Sequence, residues 1–300
     1  MKRKSIQGLM IGALLFCCNI QNAKTNNKYD FPLYPGERLT YTVEYMTLEI
    51  ASIRFSVIEQ IDTLGTTLFH VRAEVTSNPK VPLLSLNDVY ESYFDCDFRS
   101  YYYYGEGLTR RFAFRVEGVF DYQNRILHAR EFRRRGRDEK LHEELTEDLL
   151  AKIRDGLSLF YFLRYNLILT PPEIKQNYAA FVGLKKAPVT FELAKKLKRI
   201  NAIGKDFDAL PAEIRFEFEG VGGMKGEVKL NYSTDGLALP LSGRIKAPIG
   251  KVKIRLVEYI PGKPVYLHAA KATAAAAEPS DSATGRSSLS CTVKYLPGES

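Results

Sequence analysis

The stretches EIRFEFE (213–219), EVKLNYS (227–233) and KVKIRL (251–256) decide the fold class of this chain. In each of them apolar and polar residues alternate, which is typical of a strand with one dry face and one wet face. The same alternation occurs in LTYTVEY (39–45), ASIRFSV (51–57), FHVRAEV (69–75), RFAFRVE (111–117) and VTFEL (189–193). Many such strands, separated by turn residues, predict a mainly β fold whose curved antiparallel sheet forms a barrel or half-barrel.

One segment, from about 146 to 166, breaks this alternation and predicts a short inserted helix. Thr146 is a suitable N-cap, and Glu147 and Asp148 would lie in the first turn, where negative charge is favourable. Asp155-Gly156 interrupts the segment, and Asp155 is a suitable cap for its later part, LSLFYFLRY (157–165), which is apolar nearly all round. A helix of that kind is buried on most sides, so we expect it on or in the concave face of the sheet.

The first 23 residues have the three parts of a secretory signal peptide. A cationic start is followed by the apolar run GLMIGALLF (8–16) and a polar end at Ala23, where a peptidase can cut. A lipoprotein anchor on Cys17 or Cys18 is less favoured, because neither cysteine follows a small residue. We therefore expect an exported protein of the periplasm or outer-membrane periphery, without a transmembrane segment in the mature chain.

The mature chain divides into three predicted parts. These are a short linker (24–33), a single β domain (34–267) and a tail (268–300) whose alanine-, serine- and threonine-rich sequence predicts disorder. Cys96 and Cys291 remain after cleavage of the signal. Export permits a disulfide between them, but a small, half-buried apolar role is the favoured interpretation of Cys96.

The composition limits the kinds of partner. Hydrophobic residues make up 45% of the chain, which is enough for a core, and the net charge is +8 at pH 7. A basic exported protein can meet anionic lipid headgroups or polysaccharides, although charge for solubility is the simpler explanation. Nucleic acid is not an expected partner in this compartment.

Four motifs occur in order: PGERLTYTVEY (35–45), FDYQNRIL (120–127), DGLSLFYFLR (155–164) and GEVKLNYSTDGLALPLSGRIKAPIGKVKIRL (226–256). Over about residues 34–260 the chain thereby resembles a family of exported bacterial proteins catalogued as domain of unknown function 3108. The opening departs from that family, which tends to have a glycine before its second strand where this chain has Met46-Thr47-Leu48-Glu49-Ile50-Ala51. The resemblance implies the same β architecture and brings no catalytic residues.

The sequence contains no strong motif for a catalytic or metal-binding site. His70, His128, His142 and His268 lack a second histidine at metal-binding spacing. Asp95 and Asp97 resemble a glycosidase carboxylate pair, but charges on an edge strand are the simpler interpretation. Ser158 lacks the second glycine of the Gly-x-Ser-x-Gly nucleophile elbow. We expect neither an enzyme nor a bound metal or cofactor.

Ligand-binding candidates come from the helix, the strands and a tyrosine run. Arg164 either caps the helix end or pairs with a carboxylate of the sheet, or else holds an anionic ligand group, because a buried arginine needs a partner. Tyrosines 101–104 combine apolar bodies with polar tips, which suits lipid interfaces and glycans. The candidates are Ser158, Tyr161, Arg164, Tyr101, Tyr103, Phe112, Phe114, Phe216 and Phe218.

Three functions remain open. The first is a carrier for a hydrophobic, lipid-like ligand in an apolar cavity beside the helix, with Ile254 also in its lining. This rests on analogy with periplasmic half-barrels that carry lipids or lipoproteins. The second is a structural or assembly factor of the cell envelope with a protein or glycan partner. The third, an enzyme acting on glycans, would need two facing carboxylates in a cleft.

Overall fold

The structure is a computed structural model. It describes residues 33–263 except for 64–65, 82–83, 109–111, 170–174, 220–224 and 248–249. The predicted signal peptide, the cysteines at 17, 18 and 291 and the predicted tail lie outside the described residues.

The described chain forms sixteen strands and one helix. The strands before the helix are β1 Arg38–Tyr45, β2 Leu48–Thr63, β3 Thr66–Ser77, β4 Asn87–Asp95, β5 Ser100–Leu108, β6 Ala113–Asp121, β7 Ile126–Arg135, β8 Asp138–Asp148 and β9 Arg154–Asp155. The helix is α1, Gly156–Leu169. The strands after it are β10 Lys175–Val182, β11 Lys185–Leu193, β12 Lys198–Ala202, β13 Lys205–Glu219, β14 Lys225–Ser233, β15 Pro240–Ala247 and β16 Gly250–Ile260.

All strands belong to a single sheet. Its order is β8-β7-β6-β5-β4-β3-β2-β1-β16-β15-β14-β13-β11-β10-β9, and β12 pairs with the first part of β13. The pairs are antiparallel except for the short parallel contact between β9 and β10. Seven of the eight alternating stretches lie within observed strands, and within the eighth, RFAFRVE, strand β6 begins at Ala113. The prediction of a mainly β fold is therefore confirmed, as a curved sheet with two open ends.

The helix begins ten residues later than predicted. Thr146 belongs to β8, where it lies opposite His128, and Asp148 lies opposite Ile126. Pairing with β7 fixes this stretch as a strand, because tertiary partners override the weak helical preference of a short acidic segment. The N-cap is Asp155, whose Oδ1 accepts hydrogen bonds from the backbone N–H groups of Leu157 and Ser158 at 2.7 and 3.1 Å.

The sheet curves around α1, as expected from the apolar character of the helix. Leu157 and Tyr161 pack in a cluster with residues of β3, β4, β6 and β7. Leu159 and Leu163 pack in a second cluster with residues of β11, β13 and β14. Phe160 stacks on a ring of β2 with centroids 4.3 Å apart. A helix that contacts both halves of one sheet in this way lies on its concave face.

Candidate functional site

The start of α1 is held by a buried group of one carboxylate and three hydroxyls. Asp155 Oδ2 accepts hydrogen bonds from Ser92 in β4 at 2.5 Å and from Ser100 in β5 at 2.7 Å. Ser158 Oγ lies 2.9 Å from Ser100 Oγ and donates to the backbone carbonyl of Asp155 at 3.2 Å. Ser158 is thus engaged within the protein, as part of the joint between the helix and two strands.

Burial raises the pKa of Asp155 above its ordinary value near 3.8, although the hydrogen bonds from Ser92 and Ser100 act in the opposite direction. Four hydrogen bonds satisfy the acceptors of this desolvated carboxyl, as a buried polar group requires.

The second polar group inside the barrel is the pair of Arg164 and Glu37. The guanidinium donates to the two carboxylate oxygens at 2.7 and 3.3 Å and to the carbonyl of Leu237 at 3.4 Å. Both side chains are fully buried, at 0% and 1% exposed. Burial alone would lower the pKa of Arg164, but the charge and hydrogen bonds of Glu37 outweigh it and raise the pKa. Of the roles that the sequence left open for Arg164, this geometry matches the ion pair with a carboxylate of the protein.

Tyrosines surround this ion pair. Tyr41, Tyr161 and Tyr232 are buried, and burial raises the pKa of each phenol. Tyr161, one of the candidate ligand-binding residues, therefore lies in the packed interior with its ring 6.0 Å from that of Phe94.

The other candidate residues are not brought together. Tyr101 packs on Tyr122 with centroids 5.3 Å apart, whereas Tyr103 is buried in the first cluster. Arg133 lies 4.6 Å above the ring of Phe112. Phe114 and Phe216 pack against different clusters. For Phe218 only the backbone is described.

A groove lies elsewhere, beside β12 and along strands β11, β13, β14, β15 and β16. Besides pairing with β13, β12 lies against β15 and β16. The groove has a volume of about 570 Å³. It is lined by Glu44, Glu192, Leu193, Ala194, Lys198, Ile200, Pro211, Ala212, Glu213, Lys229, Leu230, Asn231, Ser242, Gly243, Arg244, Lys253, Ile254 and Arg255. Of the residues expected in a ligand cavity, only Ile254 is among them.

The groove is apolar at the β12 end and charged across its floor. Five cations and three acids line it, so its net charge is positive. Arg255 donates to Glu44 at 2.7 Å, and Lys229 lies 3.2 Å from Glu213. The structure records no ion pair for Arg244 or Lys253 within the described residues.

Sequence reasoning missed this groove for a physical reason. The cations occupy the wet positions of EVKLNYS and KVKIRL, the same alternation that predicted the strands. Which cation faces which depends on the register between strands, and a single sequence does not contain the register. The fold-back of β12 over β15 and β16 likewise follows from tertiary packing.

In the described part of the chain, no three histidine, cysteine, aspartate or glutamate side chains are grouped in a way that would hold a metal ion. No helix in these ranges is long and apolar enough to cross a membrane.

The model of a protein family described as "Protein of unknown function (DUF3108)" matches residues 40–257. The chain belongs to this family. The match includes every residue that lines the groove and the whole of α1. The family assignment inferred from the four motifs is therefore confirmed.

Solved structures show similarity at low identity. A β-barrel-like protein of the domain of unknown function DUF1849 from Brucella abortus is 8% identical, covers 76% of this chain and 97% of its own, and has a TM-score of 0.46. A protein with a YmcC-like fold from Bacteroides fragilis is 7% identical, covers 77% of this chain and 98% of its own, and has a TM-score of 0.35. The comparison with curated proteins finds no match.

Proposed function

We propose that this DUF3108 protein is a non-catalytic binding module of the cell envelope, and that a lipid-like ligand lies in the groove beside β12. The observation that carries the proposal is the groove of about 570 Å³. Sites for small ligands have volumes of roughly 300–1,000 Å³ and combine apolar walls with a few polar groups. The groove has both kinds of lining.

The apolar part of the groove suits an acyl chain. Ala194, Ile200 and Pro211 lie at the end formed by β12 and the neighbouring strands. The interior of the barrel is a poorer place for a ligand, because α1 fills it: Leu157, Tyr161 and Leu163 are at most 7% exposed. We therefore propose a lipid-like ligand, as the sequence suggested, but in the groove and not in a cavity beside α1.

The test is the binding of a fluorescent fatty acid to delipidated protein. Ala194 is exposed and lines the groove. In Ala194→Trp the larger side chain should occupy the acyl site and weaken binding by about tenfold, which corresponds to about 1.4 kcal/mol. Ala151→Trp is the matched control, because Ala151 is also exposed and lies outside the groove.

The outcomes separate the alternatives. Weaker binding by Ala194→Trp, with unchanged binding by Ala151→Trp, supports the groove. Equal binding by both variants and the unmodified protein would place the ligand elsewhere, and absence of uptake by the unmodified protein would refute the carrier function.

A second candidate function, an envelope assembly factor, is favoured by the free edge of the sheet at β8. This strand of eleven residues pairs with β7 on one side and is an end of the sheet in the described structure. Free edges accept a strand from a partner protein. Isolation of one stable envelope partner, lost when β8 is altered, would support this alternative.

A further inference from the structure

The floor of the groove carries three cations on neighbouring strands. Lys229 in β14 lies opposite Arg244 in β15, and Arg244 lies opposite Lys253 in β16. Side chains directly opposite each other on one sheet face are about 5 Å apart at Cβ, and like charges in that arrangement are destabilising. The fold thus keeps a row of positive charges that lowers its own stability.

The acids around this row compensate only one end of it. Lys229 lies 2.9 Å from Glu227 and 3.2 Å from Glu213, and these hydrogen bonds raise its pKa. Glu44 lies opposite Lys253 in register, but its carboxylate accepts from Arg255 at 2.7 Å. In the described structure, Arg244 and Lys253 are left as two adjacent cations without an ion pair.

A hydroxyl stands beside these two cations. Ser242 precedes Arg244 by two residues in β15, so both side chains lie on the same face of the strand. Ser242 Oγ accepts a hydrogen bond from Asn231 Nδ2 at 3.0 Å, which leaves its own O–H available as a donor. All three residues line the groove. Two cations and a hydroxyl donor are the groups that bind an oxyanion.

We propose that Arg244, Lys253 and Ser242 form an anion site that holds the carboxylate or phosphate head of the ligand. This inference rests on the proposed function, since it concerns the same groove. The head lies over β15 and β16, and the acyl chain runs toward Pro211 and Ala194, which share that face of the sheet. The bound anion compensates the two cations, which explains why a row of like charges is tolerated.

The test compares three probes of equal chain length: a fatty acid, an alkyl phosphate monoester and a fatty alcohol. We expect the two anions to bind at least about tenfold more tightly than the alcohol, and Arg244→Gln and Lys253→Gln each to remove most of that difference. Without ligand, both variants should have a higher Tm than the unmodified protein, because each relieves repulsion. Of the fatty acid and the alkyl phosphate, the one that binds more tightly to the unmodified protein identifies the head group as a carboxylate or a phosphate.

Lys229→Gln is the matched control, because Lys229 lines the same groove and belongs to the same row but is already neutralised by Glu213 and Glu227. It should leave the preference for anions within about twofold of the original. The anion site is refuted if Lys229→Gln loses as much anion binding as Arg244→Gln. Equal affinity for the alcohol and the acid also refutes it but leaves the binding module intact, whereas failure of all three probes refutes both.

Discussion

At the scale of single residues, Asp155 shows how one side chain joins three elements. Its carboxylate accepts from two backbone N–H groups of α1 and from the hydroxyls of Ser92 and Ser100. Each hydrogen bond contributes about 1 kcal/mol, and loss of the acceptor would leave buried donors unsatisfied at a cost of about 1–3 kcal/mol each. The sequence predicted the cap, whereas the serines come from strands more than fifty residues away.

We predict that Asp155→Ala lowers the free energy of unfolding by about 2–4 kcal/mol, because the cap and the acceptor of two buried hydroxyls are lost. Asp155→Asn should cost less, because the amide oxygen still accepts from the helix N–H groups and the hydroxyls can turn to accept from the amide nitrogen. Urea unfolding of both variants provides the measurement. A larger loss in the asparagine variant would contradict this account of the joint.

The raised pKa of Asp155 also predicts a pH dependence. Stability associated with the protonated carboxyl is fully present below the ordinary value near 3.8 and is lost as the pH rises through the higher pKa of the folded state. The stability of the unmodified protein relative to Asp155→Asn should therefore fall as the pH rises above about 4. A relative stability that rises over this range would mean that the hydrogen bonds outweigh burial and hold the pKa low.

At the scale of elements, the sequence predicted that the tyrosine run forms a strand, but it did not predict where the helix begins. Tyrosines 101–104 lie in β5, where Tyr103 is buried and its neighbours Tyr102 and Tyr104, on the opposite face of the strand, are half-buried. Burial raises the pKa of Tyr102 to about 12. The start of α1 was predicted too early, because Thr146 and the acids after it satisfy the local rules for a helix start while the register with β7 makes them a strand.

Close packing of β14 against β15 provides a prediction at this scale. A Cβ at Gly243 would lie 2.5 Å from Leu230 Cδ2 and 2.6 Å from the carbonyl oxygen of Lys229. Gly243→Ala should therefore lower the free energy of unfolding by about 1–3 kcal/mol, since the backbone oxygen cannot move aside without disturbing the strand pair. Chemical denaturation of the variant tests this.

Gly118 in β6 is the matched control, because a Cβ there would meet its nearest neighbours at 3.7–3.8 Å, an ordinary contact distance. Gly118→Ala should be neutral or stabilise by up to about 1 kcal/mol, because alanine loses less backbone entropy on folding. Equal effects of the two substitutions would show that the close approach at Gly243 is unimportant.

At the scale of the whole molecule, α1 connects the two halves of the sheet. The ends of the sheet also approach each other, since Phe120 in β6 and Phe181 in β10 meet edge to face with centroids 5.6 Å apart. The pair of Arg164 and Glu37 fixes the middle of the helix near β1. We therefore expect the domain to unfold as one unit, with α1 as the shared part of its core.

We predict that Arg164→Met lowers the free energy of unfolding by about 3–5 kcal/mol, because it leaves the carboxylate of Glu37 buried without its cation. The double variant Glu37→Leu with Arg164→Met should recover much of this loss. Hydrogen exchange should show that protection decreases together in β4–β5 and in β11–β14. A decrease confined to one half would mean that the helix does not couple them, and a double variant no better than the single one would contradict the charge explanation.

The sequence by itself determined the fold class, eight of the strands, a buried apolar helix, the cap at Asp155 and the family. These features follow from periodicity, capping and motifs, which are local in the chain. Tertiary structure decided the true start of α1, the partner of Arg164, the separation of the aromatic candidates and the row of Lys229, Arg244 and Lys253. Each of these depends on which distant strands lie side by side, and strand register is set by the packing of the whole sheet around the helix.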